Sequence, residues 1–325
     1  MIDPLNAKRS PLTGLGTALI TPFKENGSVD YDALARVLDT QLTGFVDYLV
    51  VLGTTGEAAT MTETEKREVR TFIRDYVKKS SIINHQSSIP LVLGVGGNNT
   101  AQVISDLKAM KDELILDFTA ILSVCPYYNK PNQEGLFQHF CAVAEASPVP
   151  VILYNVPGRT GVNLLPETVI RIWDAHPDKI AGIKEASGNL DQIKKLIGLT
   201  AKRSNSETVC QCNGLSAEGG LLVISGDDGI ACEVMAAGGA GLISVASNAY
   251  PEDFWHIVHD QDAALQARYA ETIKLLFAEG NPVGIKAVMA HKGLISNHLR
   301  LPLVPASPEL QKQLIAADET HRQLA

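Results

Sequence analysis

Short runs of apolar residues recur at near-even intervals along the chain. Each is followed by a polar or glycine-containing turn and then by a longer segment with helical periodicity. Eight such runs stand out, at residues 15–20, 48–52, 91–95, 120–124, 149–154, 180–184, 221–225 and 241–245. They are continuous rather than alternating, which is how a strand reads when helices cover both faces of a parallel sheet. Eight strand-then-helix units predict a TIM (β/α)8 barrel, an α/β fold, over residues 1–250. Residues 251–325 keep helical periodicity without another apolar run and predict a C-terminal helical extension. Helix starts are marked by Thr62-Glu63-Thr64-Glu65 and by Asn132-Gln133-Glu134 after Pro131. The stretch 202–220, rich in Ser, Asn and Gly, predicts a loop between the sixth helix and the seventh strand.

Composition narrows the class. With 325 residues, 45% hydrophobic and 20% charged, the chain can bury a large core, which excludes disordered and disulfide-stapled classes. A net charge of -8 without a basic cluster argues against a nucleic-acid partner. The cysteines Cys125, Cys141, Cys210, Cys212 and Cys232 repeat no CxxC spacing, so neither a disulfide framework nor a zinc site is expected. The first eleven residues carry Lys8 and Arg9 with no apolar stretch behind them, and no window has the apolar length of a membrane span. A cytoplasmic, unprocessed protein is expected.

Barrel active sites lie at the C-terminal ends of the strands, so the residues that end each run are the candidates. Lys184 ends the sixth run, where an ammonium would be partly desolvated. Desolvation favours the neutral amine, which can attack a ketone and form a Schiff base. The alternative is that Lys184 pairs with Asp227 or Glu185 and only closes the barrel. Tyr154 ends the fifth run and could exchange a proton in the same mouth, or be a core tyrosine with its hydroxyl satisfied. Tyr127 and Tyr128 are hard to bury together, so one of them is expected at the site or at a subunit interface.

Gly53-Thr54-Thr55-Gly56 offers hydroxyls and backbone N–H groups suited to a carboxylate, though glycine turns are common. Arg159, just past Pro157-Gly158, could grip a second carboxylate or form a surface ion pair. Gly94-Val95-Gly96-Gly97 lacks the features of a nucleotide-binding loop. Cys210 and Cys212 lack further metal ligands nearby, and the histidines form no HExxH motif.

Taken together, Gly53-Thr54-Thr55-Gly56-Glu57, Pro126-Tyr127-Tyr128-Asn129-Lys130-Pro131, Tyr154-Asn155-Val156-Pro157, Arg159-Thr160-Gly161, Gly182-Ile183-Lys184-Glu185-Ala186 and Ser225-Gly226-Asp227-Asp228 resemble the dihydrodipicolinate synthase family of pyruvate-dependent Schiff-base aldolases. The resemblance covers nearly the whole chain, with the motifs in family order. It implies that Lys184 condenses with pyruvate, that Tyr154 donates and accepts the proton, and that Thr54 and Tyr128 complete the relay. Thr55 and the turn amides would hold the pyruvate carboxylate, Arg159 that of L-aspartate 4-semialdehyde, and the backbone at Gly226 and Ile243 would line the pocket. The residue matching Tyr128 reaches in from a neighbouring subunit in the family, which implies a homo-oligomer, a dimer or a tetramer. No metal or organic cofactor is implied.

The relatives also include N-acetylneuraminate lyase and 2-keto-3-deoxy-sugar acid aldolases, whose polyol substrates need hydroxyl partners where Arg159 stands. A catalytically silent barrel acting as a binding protein is the remaining alternative. Feedback-inhibited bacterial members use histidine and glutamate side chains in a lysine-binding site at the dimer interface. The matching positions here are Glu63, Lys66 and Gln102, so weak or absent inhibition by lysine is expected.

Overall fold

The computed structural model describes residues 10–80, 89–110, 115–204 and 220–324. Its centre is a closed barrel of parallel strands in sequence order: β1 (Gly14–Ala18), β2 (Tyr48–Val51), β3 (Leu91–Gly94), β4 (Ala120–Val124), β5 (Val151–Asn155), β6 (Ile180–Glu185), β7 (Leu222–Ser225) and β8 (Gly241–Ser244). Every predicted apolar run overlaps one of these strands, with ends displaced by no more than two residues. At the end of the second run the reason is local, because Leu52 turns to φ 57° and leaves the ladder.

Around the barrel lie α1 (Tyr31–Thr43), α2 (Glu63–Lys79), α3 (Thr100–Ala109), α4 (Gln133–Ala146), the single turn α5 (Pro157–Thr160), α6 (Pro166–Ala175), α7 (Leu190–Ser204) and α8 (Ala231–Ala236). Both predicted helix starts are built from their caps. Thr62 and Glu65 form a reciprocal capping box on α2, and Asn132 accepts from Gly135 N at 2.9 Å to open α4.

The predicted loop at 202–220 needs correction at its start. Lys202, Arg203 and Ser204 are the last turn of α7, held where the Arg203 guanidinium donates to Asp174 at the end of α6 (Nε to Oδ1, 2.8 Å). Basic residues at a helix C-terminus also suit its dipole. Residues 205–219, with Cys210 and Cys212, lie outside the described residues.

Two apolar clusters make the core. The outer one fills the space between strands and helices; the inner one fills the barrel with residues such as Tyr48, Val50, Val92, Leu122, Ile152 and Ile243. After β8 the chain is helical: α9 (Pro251–His259), α10 (Ala263–Phe277), α11 (Val283–His291) and α12 (Pro308–Leu324). The first of these lies against β1, where His259 Nε2 sits 2.7 Å from Asp47 Oδ2 and the same carboxylate accepts from Leu15 N at 2.6 Å. The segment joining α10 to α11 contacts the turn after β2, and this brings C-terminal residues to the site.

Candidate active site

Strand register decides which way the central lysine points. In the β5–β6 ladder Ile183 pairs with Leu153, Lys184 with Tyr154 and Glu185 with Asn155. Successive side chains on a strand face opposite sides. Leu153 and Ile183 belong to the outer core and Tyr154 to the inner cluster, so Lys184 faces the barrel interior and Glu185 the helices. Lys184 is 5% exposed, and its Nζ lies 4.6 Å from the centroid of the Tyr154 ring.

Neither carboxylate that could have locked the amine does so. Glu185 accepts from Asn155 Nδ2 at 2.9 Å, from Ser187 N at 2.8 Å and from Gln192 Nε2 at 3.0 Å. Asp227 Oδ1 accepts from Gly229 N at 2.9 Å, capping the short turn after β7. Among the described residues Lys184 has no ion-pair partner. Its role in the structure is therefore not that of a barrel-closing salt bridge.

Gly226 explains how the lysine stem fits. A Cβ at this position would stand 2.9 Å from Lys184 Cε and 2.6 Å from Ala186 Cβ, so only glycine leaves the channel open. Ile243, on β8, is buried in the same inner cluster. Asp228 joins the two last strands at this end of the barrel: Ser244 Oγ donates to one of its oxygens and Val245 N to the other at 3.1 Å. Burial pushes the Asp228 carboxyl up to about 6, and those hydrogen bonds oppose the shift.

The turn after β2 presents its two threonines differently. Thr54–Gly56 forms a tight helical turn closed by Gly56 N on Gly53 O at 3.1 Å, with Thr55 buried and Thr54 exposed. Thr21 Oγ1 steadies the turn by donating to Gly56 O at 2.8 Å. Immediately beyond, Glu57 adopts φ 52° and buries its carboxylate against Lys286 of α11.

Arg159 lies on α5, directly after β5, and is exposed. Tyr128 is 88% exposed and sits beside that turn, its backbone N–H donating to Thr160 O at 3.3 Å. Tyr127 is also exposed, at 43%, so neither phenol is buried. Register and direct contacts thus bring Lys184, Tyr154 and Gly226 together, whereas the Tyr128 side chain is exposed to solvent.

One residue that the sequence reading did not single out joins two that it did. Asn281 donates through Nδ2 to Thr55 Oγ1 at 2.9 Å, and its carbonyl accepts from Arg159 Nη2 at 3.3 Å. The only local sign of it was Gly280-Asn281-Pro282 between two helical segments, which reads as ordinary punctuation. Among the described residues no group of three or more His, Cys, Asp and Glu converges as metal ligands, and no helix is long and apolar enough to cross a membrane.

A sequence model of the Dihydrodipicolinate synthetase family matches residues 11–320. The chain belongs to that family. A 4-hydroxy-tetrahydrodipicolinate synthase of Parabacteroides distasonis is 46% identical over 301 residues, which cover 90% of this chain and 92% of the relative. One from Flavobacterium psychrophilum is 44% identical over 93% of this chain and 95% of its own. Among solved structures, the dihydrodipicolinate synthase of Thermotoga maritima superposes with a TM-score of 0.83 at 36% identity, covering 95% of this chain and 98% of that one. The eight-stranded barrel and its C-terminal helices are thus the architecture of the dihydrodipicolinate synthetase family, and the lysine at the mouth is found on a family scaffold of lyases.

Proposed function

We propose that this chain is a 4-hydroxy-tetrahydrodipicolinate synthase that uses Lys184 to activate pyruvate for condensation with L-aspartate 4-semialdehyde. The observation that carries the reading is the Lys184 amine inside the barrel mouth, beside the Tyr154 ring and free of the neighbouring carboxylates.

In this reading the neutral amine attacks C2 of pyruvate, and the carbinolamine loses water to give a protonated imine. The imine withdraws electrons from the adjacent methyl group, so a proton leaves carbon and an enamine forms. The enamine carbon bonds to the aldehyde carbon of the semialdehyde, whose oxygen takes up a proton. The semialdehyde amine then displaces Lys184 from the imine carbon, closing the ring and freeing the enzyme. In this reading Tyr154, the register partner of Lys184, hands protons to and from the carbinolamine, with Thr54 and Tyr128 as its relay. Thr55 and the turn amides hold the pyruvate carboxylate, Arg159 holds the semialdehyde carboxylate, and the backbone at Gly226 and Ile243 lines the pocket.

The exposure of Tyr128 supports a relay completed between copies in a homo-oligomer. A related dihydrodipicolinate synthase of Acinetobacter baumannii, 36% identical with a TM-score of 0.81, has been solved in complex with pyruvate.

Two measurements test the reading. Incubation with pyruvate and borohydride should add the reduced pyruvate mass to the peptide holding Lys184, and an unmodified Lys184 overturns the Schiff-base assignment. Turnover with pyruvate plus aspartate semialdehyde should fall sharply in Arg159→Ala while trapping by pyruvate persists. Preserved turnover in that variant overturns the substrate assignment and leaves the imine chemistry standing.

A further inference from the structure

Asn281 belongs to the segment between α10 and α11, far in sequence from every candidate at the barrel mouth, yet it contacts two of them. It is 7% exposed. Its Nδ2 donates to Thr55 Oγ1 at 2.9 Å, and its backbone carbonyl accepts from Arg159 Nη2 at 3.3 Å. We propose that Asn281 is a positioning residue for both substrate carboxylates, turning the Thr55 hydroxyl into a committed donor and setting the direction of Arg159. The proposal rests on the assignment of Thr55 and Arg159 as carboxylate-binding groups made above.

The chemistry follows from the donor and acceptor inventory. A threonine hydroxyl has one proton to donate and lone pairs to accept with, and an amide N–H can only donate. When Asn281 fills an acceptor site on Oγ1, the Thr55 proton remains available for an oxygen elsewhere. A carboxylate, which only accepts, is the ligand group that such a hydroxyl fits. Among the described residues Thr55 Oγ1 has no other hydrogen-bond partner. The Asn281 carbonyl in turn holds one arm of a guanidinium that is otherwise exposed, leaving its remaining N–H groups for a substrate oxygen.

Two further observations bear on how Asn281 is held against the turn. Its side chain is buried, and among the described residues its Oδ1 has no hydrogen-bond partner, so the contact through Nδ2 is the one that orients the amide. The segment is also anchored onto the same turn from its C-terminal side. Lys286, whose backbone N–H donates to Pro282 O at 3.0 Å, forms its ion pair with Glu57, two residues beyond Thr55. The contact between Asn281 and Thr55 is therefore held in place by the fold.

The test uses the full-length protein carrying Asn281→Asp, Asn281→Ala, Thr55→Val and the Thr55→Val/Asn281→Ala pair. The readouts are steady-state constants for both substrates, thermal unfolding, and the pyruvate concentration dependence of borohydride trapping at Lys184. Asp at 281 can only accept when ionised, so it captures the Thr55 proton and sets a negative charge beside the carboxylate sites. Asn281→Asp should raise the pyruvate KM about tenfold or more, with a much smaller change in kcat and with trapping at saturating pyruvate retained. Asn281→Ala should raise it less, and should add little once Thr55 is Val, because both changes remove one shared interaction.

A pyruvate KM within about twofold of the parent in both Asn281 variants, while Thr55→Val raises it, overturns the role of Asn281 alone. Full multiplication of the two effects in the pair does the same. An unchanged pyruvate KM in Thr55→Val overturns the carboxylate assignment of Thr55 on which the proposal rests. Equal losses in kcat and in thermal stability in both Asn281 variants, with no selective change in KM, assign Asn281 to packing and overturn the proposal.

Discussion

Lys286 and Glu57 form an ion pair closed to solvent: Nζ lies 2.5 Å from Oε1, and the two side chains are 0% and 1% exposed. The lysine also donates to His298 O at 3.1 Å and lies over the Phe23 ring at 4.4 Å, and Arg300 N donates to the other Glu57 oxygen at 3.1 Å. Burial pushes the Lys286 ammonium down to about 8, and Glu57 opposes that shift. The pair ties α11 to the turn that presents Thr54 and Thr55.

Removing one member of a buried pair leaves an uncompensated charge, a loss of about 3–5 kcal/mol. Lys286→Met should therefore lower the urea midpoint strongly. The pair Glu57→Gln/Lys286→Met should recover a large part of that loss, because no charge is left stranded. Additive losses in the double variant would show that the pair is not coupled as described.

Gly226→Ala probes the lysine channel without touching a polar group. The added Cβ would meet the Lys184 stem at 2.9 Å and Ala186 Cβ at 2.6 Å, closer than such atoms approach one another. Because Lys184 is held along the strand, the amine must shift relative to Tyr154. A displacement of about 1 Å costs on the order of a hundredfold in rate, so the rate of borohydride trapping with pyruvate should drop by at least about tenfold. A parental trapping rate in a folded variant would mean that the stem has room the geometry does not grant it.

Much of this arrangement was legible in the linear pattern, for reasons that particular residues make plain. Strands covered on both faces read as unbroken apolar runs, and Lys184 was conspicuous as a charge closing one of them. Its freedom from Glu185 also follows from strand alternation, since neighbours on a strand face opposite sides. The end of α7 was misread because Lys202 and Arg203 look like loop polarity, and the partner that keeps Arg203 helical, Asp174, belongs to another helix. Asn281 was invisible for a stronger reason: its contact with Thr55 spans 226 positions, and no local rule encodes it.

The positions that the resemblance matches to the family's lysine site, Glu63, Lys66 and Gln102, give a regulatory prediction. Lys66 Nζ pairs with Glu63 Oε1 at 2.7 Å along the first turns of α2, and Gln102 donates to Asp106 Oδ1 at 2.8 Å within α3. A free lysine ligand would meet an ammonium at Lys66, and no carboxylate at position 102 to receive its own. Initial rates should stay near the uninhibited value in millimolar lysine. A micromolar inhibition constant in a steady-state assay would contradict this, and Lys66→His should strengthen inhibition if repulsion is its cause.

His139 sets an acid limit on stability whose sign can be worked out. It lies on α4, 3% exposed, with Nδ1 2.8 Å from Thr100 Oγ1 and with Nε2 buried and, among the described residues, without a hydrogen-bond partner. Burial pushes its pKa from 6.5 down to about 4. Above 6.5 both folded and unfolded chains hold it neutral and its contribution is intact. As pH falls from 6.5 to about 4 the unfolded chain takes up a proton that the folded chain refuses, so stability drops. The full loss is about 3 kcal/mol, reached below the folded value. Asp228, raised by burial to about 6, acts with the opposite sign over part of the same range, so the wild-type curve alone does not isolate the histidine. Glu65, lowered to about 2 chiefly by hydrogen bonds from Arg300, acts mainly below it. His139→Gln keeps a polar side chain near Thr100 and removes the titration. The difference in urea-derived stability between the two proteins should therefore change by about 3 kcal/mol between pH 7 and pH 4, to the detriment of the histidine form as acid is added. Parallel curves across that range would mean that His139 titrates alike in the folded and unfolded chains.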